Sequence, residues 1–292
     1  MSTTGGVAFF PVTTFDEDGA IHEQRFREHV ASTVRRAGFS HVIPLGSVGE
    51  FAYLSPEERK RVVELTIEAV PDGTPVVPGT SAMRTEDAVS VSRFAAQAGA
   101  SGVLVTPHSY FPPAERTVRN YYRALNDALD VPIWVYDNPN TTQIEMGPEF
   151  LEELVDLDGV DCVKSGTGDL RSFRRLLGRV EDLPVFAAPP NMFEKLLLGA
   201  QGWSGPVATI APERSVDLFE AIRAGDVRTA REASRRWQPL LDHFSEYPYV
   251  ATMKAALNLQ GRDVGVPREP VQPLPAEGRE SLRAELGALG LL

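Results

Sequence analysis

The strongest constraint on this chain is an alternation. Short apolar, β-branched runs recur at intervals of roughly 20 to 35 residues, with helical patterns between them. The runs cover 6–13, 41–45, 75–78, 102–106, 132–136, 160–164, 184–187 and, more weakly, 203–209. Runs of this length with turn signals on both sides suit strands buried on both faces. The intervening segments carry explicit helix starts. In LSPEERKRVVELTIEAV, Ser55 is placed to cap, Pro56 to open the helix and Glu58 to complete a capping box. In GDLRSFRRLLGRV, Asp169 is the expected cap and Gly178 lies near the expected stop. Eight strand–helix units in about 225 residues fit a closed (β/α)8 TIM barrel better than an open doubly wound sheet, and no G-x-G-x-x-G follows the first run. Beyond Gly225 the pattern is purely helical, interrupted by the extended connector GRDVGVPREPVQPLPAEG. The expected organisation is therefore α/β: a barrel over residues 1–224, with additional C-terminal helices over 225–292 packed on it.

Composition narrows the function. The formal charge is −11 and the arginines are scattered among acids, so no nucleic-acid partner is expected. Cys162 is the only cysteine, which excludes an internal disulfide. No apolar stretch approaches the roughly 18–20 residues that span a bilayer, so no membrane association is expected. The first twenty residues lack a basic region followed by a long apolar one, and the reading is cytoplasmic. His22, His29, His41, His108 and His243 show no ligand spacing, so neither a metal nor a cofactor is expected. His22 and His29 read as surface residues of an early helix.

In a parallel barrel the reactive groups close the strands at their carboxyl ends. Those ends read LGSVGE, VTPHSYF, VYDNPNTT and VKSGTGD. The chain has 25 arginines and four lysines, and Lys164 is the one lysine on an expected strand. Lys60, Lys195 and Lys254 fall in helical patterns and read as surface material. An amine desolvated at a barrel mouth can lose its proton and attack a carbonyl, which a guanidinium cannot do. The alternative is a lysine snorkelling to solvent or paired with Asp169. Tyr136 closes the neighbouring strand, and alternation points it inward with Trp134. Its phenol could shuttle protons to a carbinolamine, or simply bond a backbone group. Gly46 and Gly49 around Ser47 and Val48 could form a backbone nest for a carboxylate, or serve the turn alone. Cys162 reads as a core filler.

These residues resemble a known family. GSVGEFAYLSPEERKRVVE, VYDNPNTT and VKSGTGDL, in this order and spacing, are similar to the signatures of the dihydrodipicolinate synthase / N-acetylneuraminate lyase family, and the likeness extends over essentially the whole chain. The resemblance implies a class I lyase in which Lys164 forms a Schiff base with pyruvate or another 2-oxo acid. It implies that Tyr136 relays protons, that Ser47 and Val48 hold the carboxylate, and that an aldehyde is the second substrate. It also implies a homotetramer or dimer.

Three departures bear on that second substrate. Val48 replaces the second hydroxyl of the G-T-T-G-E pattern, leaving its backbone N–H. Ser109 stands where the synthase branch has a tyrosine, unless Tyr110 takes the place. Thr141 stands where that branch has a carboxylate-gripping arginine, which argues against aspartate semialdehyde. Asn138, Asn140, Thr141, Thr142 and Gln143 form a neutral hydrogen-bonding loop, so an uncharged, hydroxylated aldehyde is expected. The alternatives are 4-hydroxy-tetrahydrodipicolinate synthase, a sugar-acid dehydratase, or a barrel that binds a 2-oxo acid without turnover.

Overall fold

The computed structural model describes residues 5–292. Its first half runs β1 (Gly6–Phe9), α1 (Glu23–Arg36), β2 (His41–Val42), α2 (Pro56–Ala69), α3 (Thr85–Ala98), β3 (Val103–Val105), α4 (Glu115–Asn126) and β4 (Ile133–Asp137). It continues with α5 (Pro139–Thr142), α6 (Pro148–Val155), β5 (Val160–Ser165), α7 (Leu170–Leu177), β6 (Val185–Ala187), α8 (Met192–Leu197) and β7 (Gly202–Trp203). Six helices follow the sheet's last two strands in sequence or close them: α8 itself, α9 (Pro206–Ile210), α10 (Pro212–Arg223), α11 (Val227–Glu246), α12 (Tyr249–Leu259) and α13 (Ala276–Ala288). The capping box at Ser55 and Glu58 forms, and Asp169 caps α7 through the Arg171 N–H.

The seven strands are all parallel, in the order β2-β1-β7-β6-β5-β4-β3. The two ends of that order are joined through residues 75–80. On one side Val42 N–H donates to Pro75 O and Val77 N–H to Val42 O. On the other, Leu104 N–H donates to Pro78 O and Thr80 N–H to Leu104 O, all at 2.9–3.0 Å. Bridges pair Val42 with Val76 and Gly79 with Leu104. This segment was expected as a full strand. Pro75 and Pro78 lack N–H groups, so it makes isolated bridges instead of a regular ladder. The weak last run is also shorter than expected: only Gly202–Trp203 is strand, because Pro206 opens α9 immediately afterwards.

A parallel, curled sheet wrapped in helices is the architecture the alternation implies. Inside it, Ala8, Ile43, Val77, Leu104, Trp134, Cys162 and Phe186 form their own cluster, with Phe10 and Tyr136 packed against it at one end. A larger apolar layer lies between strands and helices. His29 belongs to that layer rather than to the surface: it is buried with its ring 5.7 Å from Phe9, and burial lowers its pKa to about 3. The C-terminal helices are present, α11 packing against α8 and α10, and α12 against α9 and the turn after β2.

Candidate active site

The carboxyl ends of β4 and β5 are paired so that Tyr136 lies beside Lys164, and Asp137 beside Ser165. Strand alternation sends the first pair to the interior and the second towards the helices. Lys164 is 4% exposed. Its Nζ lies 3.3 Å from the centre of the Tyr136 ring and 5.1 Å from that of Phe10. The amine therefore faces aromatic surface, and Asp169 is occupied as a helix cap instead. Burial, reinforced by the charge of Lys195, holds the amine well below the ordinary lysine range, with Cys162 opposing. Burial likewise raises the Tyr136 phenol, helped by Tyr249 and Asp137, so at neutral pH it is a proton donor.

The LGSVGE stretch forms a tight turn of 3-10 helix over Ser47–Gly49. Leu45 and Glu50 bracket it in the left-handed region, at φ 62° and 57°, a conformation that costs about 1 kcal/mol or more for a residue with a side chain. The turn is held from below: Thr13 Oγ1 donates to Gly49 O at 2.7 Å, and Gly49 N–H to Gly46 O at 3.0 Å. Gly46 is required, since a Cβ there would sit 2.5 Å from the Phe10 ring that also faces Lys164. Ser47 opens to the cavity while Val48 is buried beneath it.

Lys164, Tyr136, Ser47, Val48, Asn138 and Thr141 line one cavity of about 620 Å³. A second, of about 350 Å³, shares Ser47, Tyr136, Asn138 and Thr141 and extends to His108. Asn138 and Thr141 belong to a short helical turn, in which Thr142 Oγ1 donates to Asn138 O at 3.0 Å. Ser109 and Tyr110 line neither cavity of their own chain. Their carbonyls accept from Gln143 Nε2 at 3.3 and 3.1 Å, and Tyr110 turns outward onto Phe111, ring centres 4.8 Å apart.

Several lining residues were not foreseen. α11 contributes Ser234, Gln238 and Asp242, and α12 contributes Tyr249 and Met253. A helical period announces an apolar face but not which sequence-distant site its polar residues reach. Two lysines read as surface material are buried. Lys195 is 0% and Lys254 1% exposed: α8 packs on β6 and β7, α12 on α9 and the turn after β2, and each ammonium finds acceptors within that packing. Lys195 Nζ donates to Ala188 O at 2.8 Å and Ser165 O at 3.3 Å. Lys254 Nζ pairs with Glu50 Oε1 at 2.6 Å and donates to Val266 O at 2.9 Å. Among the described residues no group of three or more His, Cys, Asp or Glu could hold a metal ion, and no helix is long and apolar enough to cross a membrane.

A curled parallel α/β sheet carrying a desolvated lysine beside a phenol, with a glycine turn opposite, defines a class: barrel-like lyases that use an amine as nucleophile. Comparison with known proteins agrees. The family model for the dihydrodipicolinate synthetase family matches residues 3–289. The chain is 34% identical to a DapA-like lyase of Halobacterium salinarum, over 96% of this chain and 92% of that one. It is 31% identical to a 4-hydroxy-tetrahydrodipicolinate synthase of Methanothrix thermoacetophila, over 93% and 92%. Among solved structures, the E. coli K12 prophage protein YagE, of the dihydrodipicolinic acid synthase family and in complex with pyruvate, superposes with a TM-score of 0.93 at 26% identity, covering 99% of both chains. Dihydrodipicolinate synthase from Agrobacterium tumefaciens gives 0.91 at 27% identity, covering 98% of both. The chain belongs to the dihydrodipicolinate synthetase family and is a lyase of the class I aldolase type.

Proposed function

We propose that this protein condenses pyruvate or a longer 2-oxo acid with an uncharged, hydroxylated aldehyde, or cleaves the corresponding adduct. The observation that carries this reading is the pairing of Lys164 and Tyr136 in one cavity that no arginine lines among the described residues. The Lys164 amine adds to the ketone carbon, giving a carbinolamine. Tyr136 supplies the proton with which the hydroxyl leaves as water, and the nitrogen keeps its proton, giving the protonated imine. Loss of a proton from C3 gives the enamine, whose carbon attacks the aldehyde carbonyl; hydrolysis then frees the product and the amine. Ser47 and the backbone N–H groups of its turn receive the 2-oxo acid carboxylate.

The other charged groups lining the cavity are Glu194 and Asp242, both acidic, which supports a neutral acceptor over an anionic one. On the same reading the ring of strands plus the bridged segment is a (β/α)8 barrel over residues 1–224, the remainder an extension packed on it. The enzyme works in the cytoplasm as a homotetramer or dimer and needs no cofactor. A panel of aldehydes assayed with pyruvate tests the acceptor. Hydroxylated neutral aldehydes should be preferred in kcat/KM, and Thr141→Arg should move preference towards aspartate semialdehyde by tenfold or more, about the worth of one charge-assisted hydrogen bond. Preference of the unaltered enzyme for aspartate semialdehyde contradicts the assignment.

A further inference from the structure

The same two strands that present Tyr136 and Lys164 to the cavity present Asp137 and Ser165 to the helix layer behind it. Into that layer α8 delivers Lys195. Its ammonium is sealed from solvent, 5.5 Å above the centre of the Phe173 ring. It is held by two backbone carbonyls, Ser165 O and Ala188 O. The first belongs to the residue after Lys164, and the second to the residue that follows β6, so one side chain ties the carboxyl ends of adjacent strands. Lys195 is therefore placed immediately behind the nucleophile on the opposite side of the sheet.

A buried ammonium is expensive to keep, and apolar side chains of similar size fill such a position without penalty. The surface reading of a helical lysine does not account for it. Two neutral carbonyls take up two of its three donors but do not cancel the charge. The carboxylates that face it are Asp137 from β4 and Glu194 from α8 itself; Glu194 also accepts from Ser234 Oγ of α11 at 3.0 Å. Lys164 itself faces Lys195 from behind, Tyr136 from β4 and Cys162 from its own strand. A second positive charge in this low-dielectric layer disfavours a proton on the first amine, the same device by which paired lysines activate a Schiff-base nucleophile elsewhere.

Resting on the Schiff-base reading above, we propose that Lys195 is a positioning residue for the reaction: it clamps the ends of β5 and β6 from the helix layer, and its buried charge keeps the Lys164 amine in its nucleophilic form. Burial lowers the pKa of Lys195 itself to about 8, with Asp137 and Glu194 acting to raise it, so it is still largely charged at neutral pH. Asp137, pushed up to about 7 chiefly by burial, gains its charge in the same range and limits the effect at higher pH.

The test is the pH profile of borohydride trapping with pyruvate. In Lys195→Met and Lys195→Gln the midpoint of imine formation should rise by about one pH unit, the size expected for one charge across the sheet at an effective dielectric near 20. Full trapping should return at high pH, and Lys195→Arg should stay near the parent midpoint. Folded neutral variants with the parent midpoint overturn the proposal, whatever their thermal stability. Should neither neutral variant fold, the coupling is read from the other partner, since it is reciprocal. The NMR titration of 13C-labelled Lys195 should show a second, smaller inflection at the Lys164 midpoint that is absent from Lys164→Ala, and a parent curve without it overturns the proposal. If the parent protein traps no 2-oxo acid at any pH, it is the Schiff-base reading that fails, while the NMR experiment still reports on the coupling.

Discussion

At the scale of single residues, activity and stability pull in opposite directions at Lys164. Its amine is protonated in the unfolded chain up to about pH 10.5 but is depressed in the fold by burial and by Lys195. Between the depressed folded value and the unfolded one, the unfolded chain binds more protons. The penalty on folding is therefore greatest at low pH and fades as pH rises towards 10.5. Lys164→Met, which keeps the volume and drops the charge, should abolish turnover yet raise Tm at pH 7 by at least about 2 °C, the change that ~1 kcal/mol produces in a chain of this size. The gain should shrink as pH approaches 10.5. A variant less stable than the parent at pH 7 would contradict the buried, uncharged amine. Lys164 and Tyr136 were legible in the sequence because each closes a strand, and the two-residue period fixes which way such residues face. Lys195 and Lys254 were not: a helical lysine looks the same on either face until the neighbouring element is placed.

Among elements, the turn after β2 is tied to the far end of the chain. Glu50 Oε1 pairs with Lys254 of α12, and Glu50 Oε2 accepts the Arg268 N–H of the connector at 2.8 Å. The Arg268 side chain continues the tie, to Glu58 of α2 at 2.6 Å and to the Tyr53 carbonyl at 3.1 Å. Breaking one partner of a sealed pair leaves the other charged and unpaired, at a cost of about 3–5 kcal/mol. Glu50→Gln should lose about that much in denaturant unfolding and should also raise KM for the 2-oxo acid, because the Ser47 turn loses its support. A loss below ~1 kcal/mol would mean that the turn is held by its own hydrogen bonds. The acid of GSVGE is visible in the sequence, but its partner lies more than 200 residues away, and no local pattern joins them.

For the whole molecule, the alternating runs gave the parallel architecture but overstated its regularity: two prolines thin the segment at 75–80, and another cuts β7 short. The helices beyond residue 225 were legible as helices, but not as walls of the cavity, since that depends on how α11 and α12 cross the strand ends. The outer surface carries its own signal. Tyr110 and Phe111 are 75% and 72% exposed and meet edge to face beside the site loop. An exposed aromatic pair of this kind is what the proposed homotetramer or dimer would bury. Tyr110→Ser combined with Phe111→Ser should shift the assembly to smaller species in sedimentation velocity at micromolar concentration. An unchanged distribution would place the subunit contacts elsewhere.

The central claim is that one uncharged amine captures a ketone. Reduction with borohydride in the presence of pyruvate, followed by peptide mass mapping, addresses it directly. A single stable adduct on Lys164, absent from Lys164→Ala, is the expected result. An adduct on another lysine, or none with any 2-oxo acid tried, would contradict the account.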